Sequence, residues 1–232
     1  MSQPTIRRAS PNFDRRRLPV TMVVLHYTGM VDAEAAILRL CDPAAKVSSH
    51  YLITEAGEVV ALVDEALRAW HAGAAFWRGI SDVNSASVGI ELANPGHDFG
   101  YQPFPMPQMV ALLALLPQIV ARHGIAVANV VGHSDVAPTR KIDPGELFDW
   151  ERLAHHRLAV PRPRGELADP AWDDAGVCAA LASYGYGVEE PAATIRAFQR
   201  RFRPEAVTGV ADAETRAILN RLLLDERRQT AT

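Results

Sequence analysis

Apolar positions along this chain fall into two kinds of run. Short β-rich runs at Thr21 to His26, Ser49 to Thr54, Glu58 to Val63, Ser87 to Leu92 and Asn129 to His133 read as strands, with Ala56-Gly57 a turn joining the second to the third. Helical spacing marks Asp32 to Leu40 and Pro107 to His123. In the longer helix Met109, Leu112, Leu113, Leu116, Ile119 and Val120 make one apolar stripe, and Gly124 stands where a left-handed cap ends it. Strands alternating with helices predict an α/β domain in which helices cover one or both faces of a sheet.

The pattern changes after residue 158. Between Ala159 and Pro170 the chain carries Pro161, Pro163, Gly165 and Pro170 among charged residues, with few apolar side chains to bury, so 159–170 reads as a linker. Three helical patterns follow, near Trp172 to Tyr184, Glu190 to Phe202 and Asp212 to Leu224, separated by Gly185 with Gly187 and by Gly209. The expected organisation is a main domain over 1–158, the linker, and a small three-helix module over 171–232. Neither an internal repeat nor a low-complexity tract interrupts it.

With 232 residues, 48% apolar and 22% charged types, the chain has the side chains for a substantial core. Lys and Arg total 24 against 27 acidic residues, so there is no global positive field and nucleic acid is not an expected partner. No stretch approaches the roughly 20 apolar residues of a membrane span; the greasiest, Met109 to Val120, is broken by Pro117 and Gln118. The N-terminal region holds Arg7, Arg8, Arg15, Arg16 and Arg17 without the apolar stretch of a secretory signal, so the chain as written is expected in the cytoplasm. An export signal upstream would instead place it in the periplasm or envelope. Cys41 and Cys178, far apart, make no disulfide framework, and a monomer is expected.

Candidate chemistry begins with a recurrence. Val23-Val24-Leu25-His26 and Val130-Val131-Gly132-His133 each set an imidazole at the C-terminal end of a buried strand, the edge where open α/β sheets bind ligands. After His133 a loop punctuated by prolines and glycine leads to Asp143. If it folds back, its carboxylate joins His26 and His133 as three protein ligands with a fourth position open, the arrangement of a catalytic zinc site. Asp135 is the competing carboxylate, although two residues after a ligand it also suits a turn or a helix cap.

Zinc with an open position makes a water nucleophile available near neutral pH, so amide hydrolysis needs only a proton acceptor and positive charge for the developing oxyanion. Glu91 is the candidate acceptor, because in Ser87-Val88-Gly89-Ile90-Glu91-Leu92 it shares a strand face with the small Ser87 and Gly89. Lys141, two residues before Asp143, is the candidate cation. Trp70-His71-Ala72-Gly73 and Phe76-Trp77-Arg78-Gly79 form a glycine-punctuated loop that offers aromatic faces and donors to a substrate, and packing of the tryptophans would explain it equally. Candidate substrate-binding residues are therefore Trp70, His71, Trp77 and Arg78, together with Asn84 and, opening a strand, His50 and Tyr51. His97, His123, His155 and His156 show no partner pattern and read as surface residues.

The pieces VVLHYT, VSSHYLI, AWHAG with FWRG, SVGIEL and above all GHSDVAPTRKIDPGELFDW, in order from about Val20 to Glu151, resemble the zinc-dependent N-acetylmuramoyl-L-alanine amidases of the type-2 group, relatives of the peptidoglycan recognition proteins. The resemblance implies a mixed β-sheet flanked by helices, with zinc at the sheet edge in a groove that takes peptidoglycan fragments (muropeptides). It implies zinc on His26, His133 and Asp143, with Glu91 and Lys141 catalytic. The implied reaction cleaves the amide between N-acetylmuramic acid, or its 1,6-anhydro form, and L-alanine, in cell-wall turnover or recycling. A non-catalytic muropeptide sensor is the alternative that the same resemblance carries. The tail, with YGYGV, IRAFQRRF and TGVADAETRAIL, is similar to the three-helix peptidoglycan-binding module.

Overall fold

The computed structural model describes residues 5–230; of the expected domain limits, 1–4 and 231–232 lie outside the described residues. Strands β1 (Thr5–Arg7) and β2 (Phe13–Arg15) lead into β3 (Met22–Tyr27) and α1 (Ala33–Cys41). Then come β4 (Tyr51–Ile53), β5 (Val59–Ala61), β6 (Leu67–Ala69), α2 (Val83–Ala86), β7 (Ser87–Leu92), α3 (Gly96–Phe99) and α4 (Met106–His123). Strand β8 (Val130–Gly132), α5 (His133–Val136) and α6 (Trp150–His155) complete the first domain, and α7 (Asp174–Tyr184), α8 (Pro191–Phe202) and α9 (Ala213–Thr230) form the tail. The main sheet runs β1-β5-β4-β7-β3-β8 and is parallel except at β4 and β5, so it is mixed, and β2 pairs with β6 in a small antiparallel ribbon.

The expected strands and helices are present, most of the strands trimmed by a residue or more at one or both ends. Those not foreseen are short. Strands β1 and β2 are three-residue segments exposed at every position, so they carry no apolar alternation for a sequence reading to find. The segment 159–170 forms neither helix nor strand.

Alternation along the central strands sorts side chains onto two faces. Val23, Leu25, Val88, Ile90, Leu92 and Val130 pack under α4, whose Met109, Leu112, Leu116 and Ile119 meet them, with Phe148, Trp150 and Leu153 closing that layer. The opposite face is divided. At one end Leu52, Val60 and Leu62 lie beneath Ala36, Ile37 and Leu40 of α1. At the other, Met22, Val24 and Val131 are covered, through Trp77, Val83 and Val136, by the tail residues Leu181, Tyr184, Tyr186, Phe198 and Phe202. His26 and Glu91 stand in register on this divided face.

The tail helices therefore share a core with the sheet. Trp77 is 1% exposed, bridges by backbone to Tyr186 and sets its ring edge-on to Tyr184 and Tyr186. A shared core unfolds as one unit. Phe198→Ala, at a position with no exposure, is expected to cost about 3–5 kcal/mol and to leave a single urea transition when the two regions are followed by separate probes.

Candidate metal centre and catalytic cleft

Register brings the ligands together. In the parallel ladder Leu25 pairs with Gly132, so His133, the next residue, emerges beside His26 at the same sheet edge. The loop beyond it folds back because the Ser134 N–H donates to the Asp143 carbonyl at 2.8 Å, while the Tyr101 hydroxyl donates to the Pro144 carbonyl at 2.7 Å. His26 Nδ1 and His133 Nδ1 lie 2.9 Å apart, and each is 3.1 Å from Asp143 Oδ2. The three residues are 1%, 4% and 6% exposed.

The hydrogen bonds behind these atoms assign their protons. Ser87 Oγ–H donates to the Val83 carbonyl at 2.5 Å, so the hydroxyl oxygen accepts from His71 Nε2–H at 3.2 Å. His71 Nδ1 is then bare and accepts from His26 Nε2–H at 3.0 Å. Similarly His133 Nε2–H donates to the Ala72 carbonyl at 3.2 Å. Both front nitrogens thus carry lone pairs, as does the carboxylate, and no proton lies among the three. Burial, and then the neighbouring His133, lower the His26 pKa to about 4. Burial works to raise that of Asp143, but a proton entering the site goes to His133 or His26 and is donated to Oδ2, which holds the carboxyl well below the usual carboxylate range. Three inward-facing acceptors in a buried pocket form a cage for a cation, and their spacing approaches the edge of about 3.3 Å expected for a tetrahedron of zinc bonds to His and Asp. The residues fit a metal ion.

Glu91 pairs with His26 in the ladder and lies on the same face. Its Oε2 is buried without a hydrogen-bond partner. Burial, then the charge of Asp143, raise its pKa well above the ordinary carboxylate value, with Lys141 opposing. The small residues beside it do not leave open space: a Cβ on Gly89 would lie 2.6 Å from the His71 ring, so glycine is required for that imidazole to back His26. His26, His71, Glu91, His133, Lys141 and Asp143 all line one cleft of about 470 Å³, with Trp70 on its wall. Arg39 and Arg140 also line it. Arg140 was legible as the neighbour of Lys141, whereas Arg39, on α1, comes from a helix that carried no motif.

Other candidates stand elsewhere. Asp135 is the cap, not a ligand: its Oδ2 accepts from the Gly132 N–H at 2.8 Å. His50 is fully buried, accepts from the Gly89 N–H at 2.9 Å through Nδ1 and does not line the cleft. Tyr51 turns away to donate to Glu65 at 2.6 Å. Asn84 is buried beneath the loop, its Oδ1 accepting from the N–H groups of His71 and Ala72 at 3.0 and 2.7 Å. Trp77 and Arg78 face the tail, where Arg78 pairs with Glu226 at 2.5 Å. Among these residues only Trp70 and His71 reach the cleft, and His71 does so as the support of His26. Of the histidines read as surface residues, His97 stacks on Tyr101 and His123 meets Glu65 at 2.6 Å.

Residues 16–146 match the model of the N-acetylmuramoyl-L-alanine amidase family called Amidase_2. The chain belongs to this family. It is 38% identical to the N-acetylmuramoyl-L-alanine amidase AmiD of Escherichia coli, over 94% of this chain and 86% of that one. It is also 38% identical, over 55% of its length and 66% of the relative's, to the 1,6-anhydro-N-acetylmuramyl-L-alanine amidase AmpD of Enterobacter cloacae. Among solved structures, the complex of E. coli AmiD with anhydro-N-acetylmuramic acid-L-Ala-D-gamma-Glu-L-Lys superposes with a TM-score of 0.81 at 37% identity, covering 89% of each chain. AmpDh3 of Pseudomonas aeruginosa gives 0.78 at 31% identity, covering 95% of each.

In this amidase the buried His50 contributes to the pH dependence of stability. Burial, then the nearby Arg16 charge, lower its pKa to about 3. The unfolded chain binds a proton there near pH 6.5, so between about 6.5 and 3 the unfolded state holds more protons and acidification costs about 1.4 kcal/mol per pH unit from this residue. Urea unfolding across that window is expected to show stability falling as the pH falls, and His50→Gln should make the slope shallower by about 1.4 kcal/mol per pH unit, with His26 and His71 supplying the remainder.

Proposed function

We propose that this chain is a zinc amidase that hydrolyses the bond between 1,6-anhydro-N-acetylmuramic acid and L-alanine in peptidoglycan fragments. The observation that carries the reading is the metal-competent triad of His26, His133 and Asp143 together with Glu91, in register with His26 on the same sheet face and raised in proton affinity by burial. Membership of the amidase family, and relatives whose substrates are anhydro-muropeptides, support it. A zinc ion held by these three side chains would supply Lewis acidity to the attacking water and the scissile carbonyl.

The chain's own residues do the rest. Glu91 has a raised affinity for a proton, so it takes one from the attacking water at its carboxylate and returns it to the departing L-alanine amine. Lys141 lies in the same cleft and places positive charge where the carbonyl oxygen becomes an oxyanion. Trp70 offers a flat wall to the sugar, and Arg39 offers its guanidinium group to the stem-peptide carboxylates, while Arg140, at the same cleft, ties down the loop by donating to the Ala72 and Ala74 carbonyls. His71 and the Ala72 carbonyl hold both imidazoles in the ligating tautomer. The convergence of all three ligand types speaks against the sensor reading.

Asp143→Ala is expected to lose bound zinc in a metal assay, because two imidazoles alone leave too few anchors. Glu91→Gln should retain zinc and lose at least about a hundredfold in kcat on a defined anhydro-muropeptide, with products identified by mass; near-normal turnover removes Glu91 from its role. Digestion of matched anhydro and reducing-end muropeptides reads the sugar preference directly, and a faster reducing-end substrate would overturn the anhydro assignment.

A further inference from the structure

Two fragments of the tail, YGYGV and IRAFQRRF, send one residue each into the first domain, and both meet the same carboxylate. The Tyr186 hydroxyl donates to Asp135 Oδ1 at 2.7 Å, and Arg201 Nη1 donates to Asp135 Oδ2 at 2.9 Å. The Arg201 and Asp135 side chains are 3% and 1% exposed. A charge pair this deep would not be held by chance packing, because an unpaired partner at either end is strongly destabilising.

What the pair grips is the segment that carries a metal ligand. Arg201 Nη2 donates to the Val130 carbonyl at 2.9 Å, on the strand before His133. Asp135 Oδ2 accepts from the Gly132 N–H at 2.8 Å, on the residue adjoining His133. The guanidinium also lies over the Trp150 ring, 4.3 Å from its centre, and a Cβ on Gly132 would come within 3.3 Å of the same ring. Residues 130–135 are thus held by the tail at two backbone groups just before His133, the Val130 carbonyl directly and the Gly132 N–H through Asp135. Because the Ser134 N–H bonds the Asp143 carbonyl, the hold extends to the loop of the third ligand.

We propose that Arg201 is a positioning residue for His133, and that through it the C-terminal helices are a structural part of the metal centre. The inference rests on His133 being a zinc ligand. Neither Arg201 nor Tyr186 lines the cleft, so the effect is carried by the backbone of 130–135 and not by contact with substrate.

The test uses the full chain and three variants, Arg201→Met, Arg201→Lys and the double variant Asp135→Asn with Arg201→Met, which leaves no orphaned charge. Zinc affinity by chelator competition is expected to fall at least about tenfold in Arg201→Met, and less in Arg201→Lys. Amide hydrogen exchange at 130–135 should speed up in the metal-free protein. On a small anhydro-muropeptide kcat should drop with KM unchanged. The double variant should regain thermal stability yet keep the zinc defect. Should Arg201→Met fail to fold, the double variant carries the comparison. Wild-type zinc affinity and exchange in a folded variant, or zinc affinity restored along with stability in the double variant, overturns the proposal. Wild-type protein that releases no L-alanine peptide overturns the amidase reading instead, and the zinc and exchange comparison still decides the role of Arg201.

Discussion

Three lone pairs aimed at one point, with no proton among them, are the constraint around which this molecule is organised. Two neutral imidazoles and an ionised carboxylate, buried at about 3 Å separation with their acceptors facing one another, call for something cationic between them. The protein prepares this state from behind. His26 hands its rear proton to His71, His71 hands its own to Ser87, and Ser87 to a carbonyl, while His133 uses the Ala72 carbonyl. Asn84 in turn holds the backbone of residues 71 and 72. Residues that look like substrate contacts in a loop serve to fix tautomers.

The divided sheet face explains where the cleft opens. Helix α1 covers one end and the tail helices the other, so the side chains of His26 and Glu91 fall in the gap between two packed regions. Hydrophobic burial on both sides makes the floor rigid, and the gap admits a ligand without breaking the core. The same arrangement accounts for the raised proton affinity of Glu91: it is desolvated by the floor and repelled by Asp143. A carboxyl so placed is suited to hold a proton between two steps of one reaction.

The tail helices serve both parts of the molecule. The helix-forming pattern and the glycine punctuation of the tail suggest a small module in the sequence, yet its large aromatic side chains pack against the first domain. Burying Tyr184, Tyr186, Phe198 and Phe202 against Trp77 and Val136 stabilises both parts at once. The first domain keeps its own core beneath α4, whereas the buried aromatic side chains of the tail belong to the core shared with the sheet.

Periodicity alone located the central strands and the long helices, because those elements bury one face and must alternate accordingly. The strand-end histidines and Glu91 were legible for a related reason: an apolar run that ends in a ligand-type residue, or a polar residue among small ones, breaks a pattern that burial imposes, whereas Asp143 stood in a loop with Asp135 as its rival. The three-residue exposed strands left no such trace. Nor did the partners of Asp135, Trp77, Arg78 and Asn84, since whether a side chain meets solvent, substrate or another helix depends on contacts between residues far apart in the chain. Local sequence determined which segments become strands and helices and which groups could ligate. Only tertiary packing decided which carboxylate faces the imidazoles, which histidine backs another, and that Arg201 pairs with Asp135 across 66 positions of sequence, because those outcomes follow from register and from the shared core.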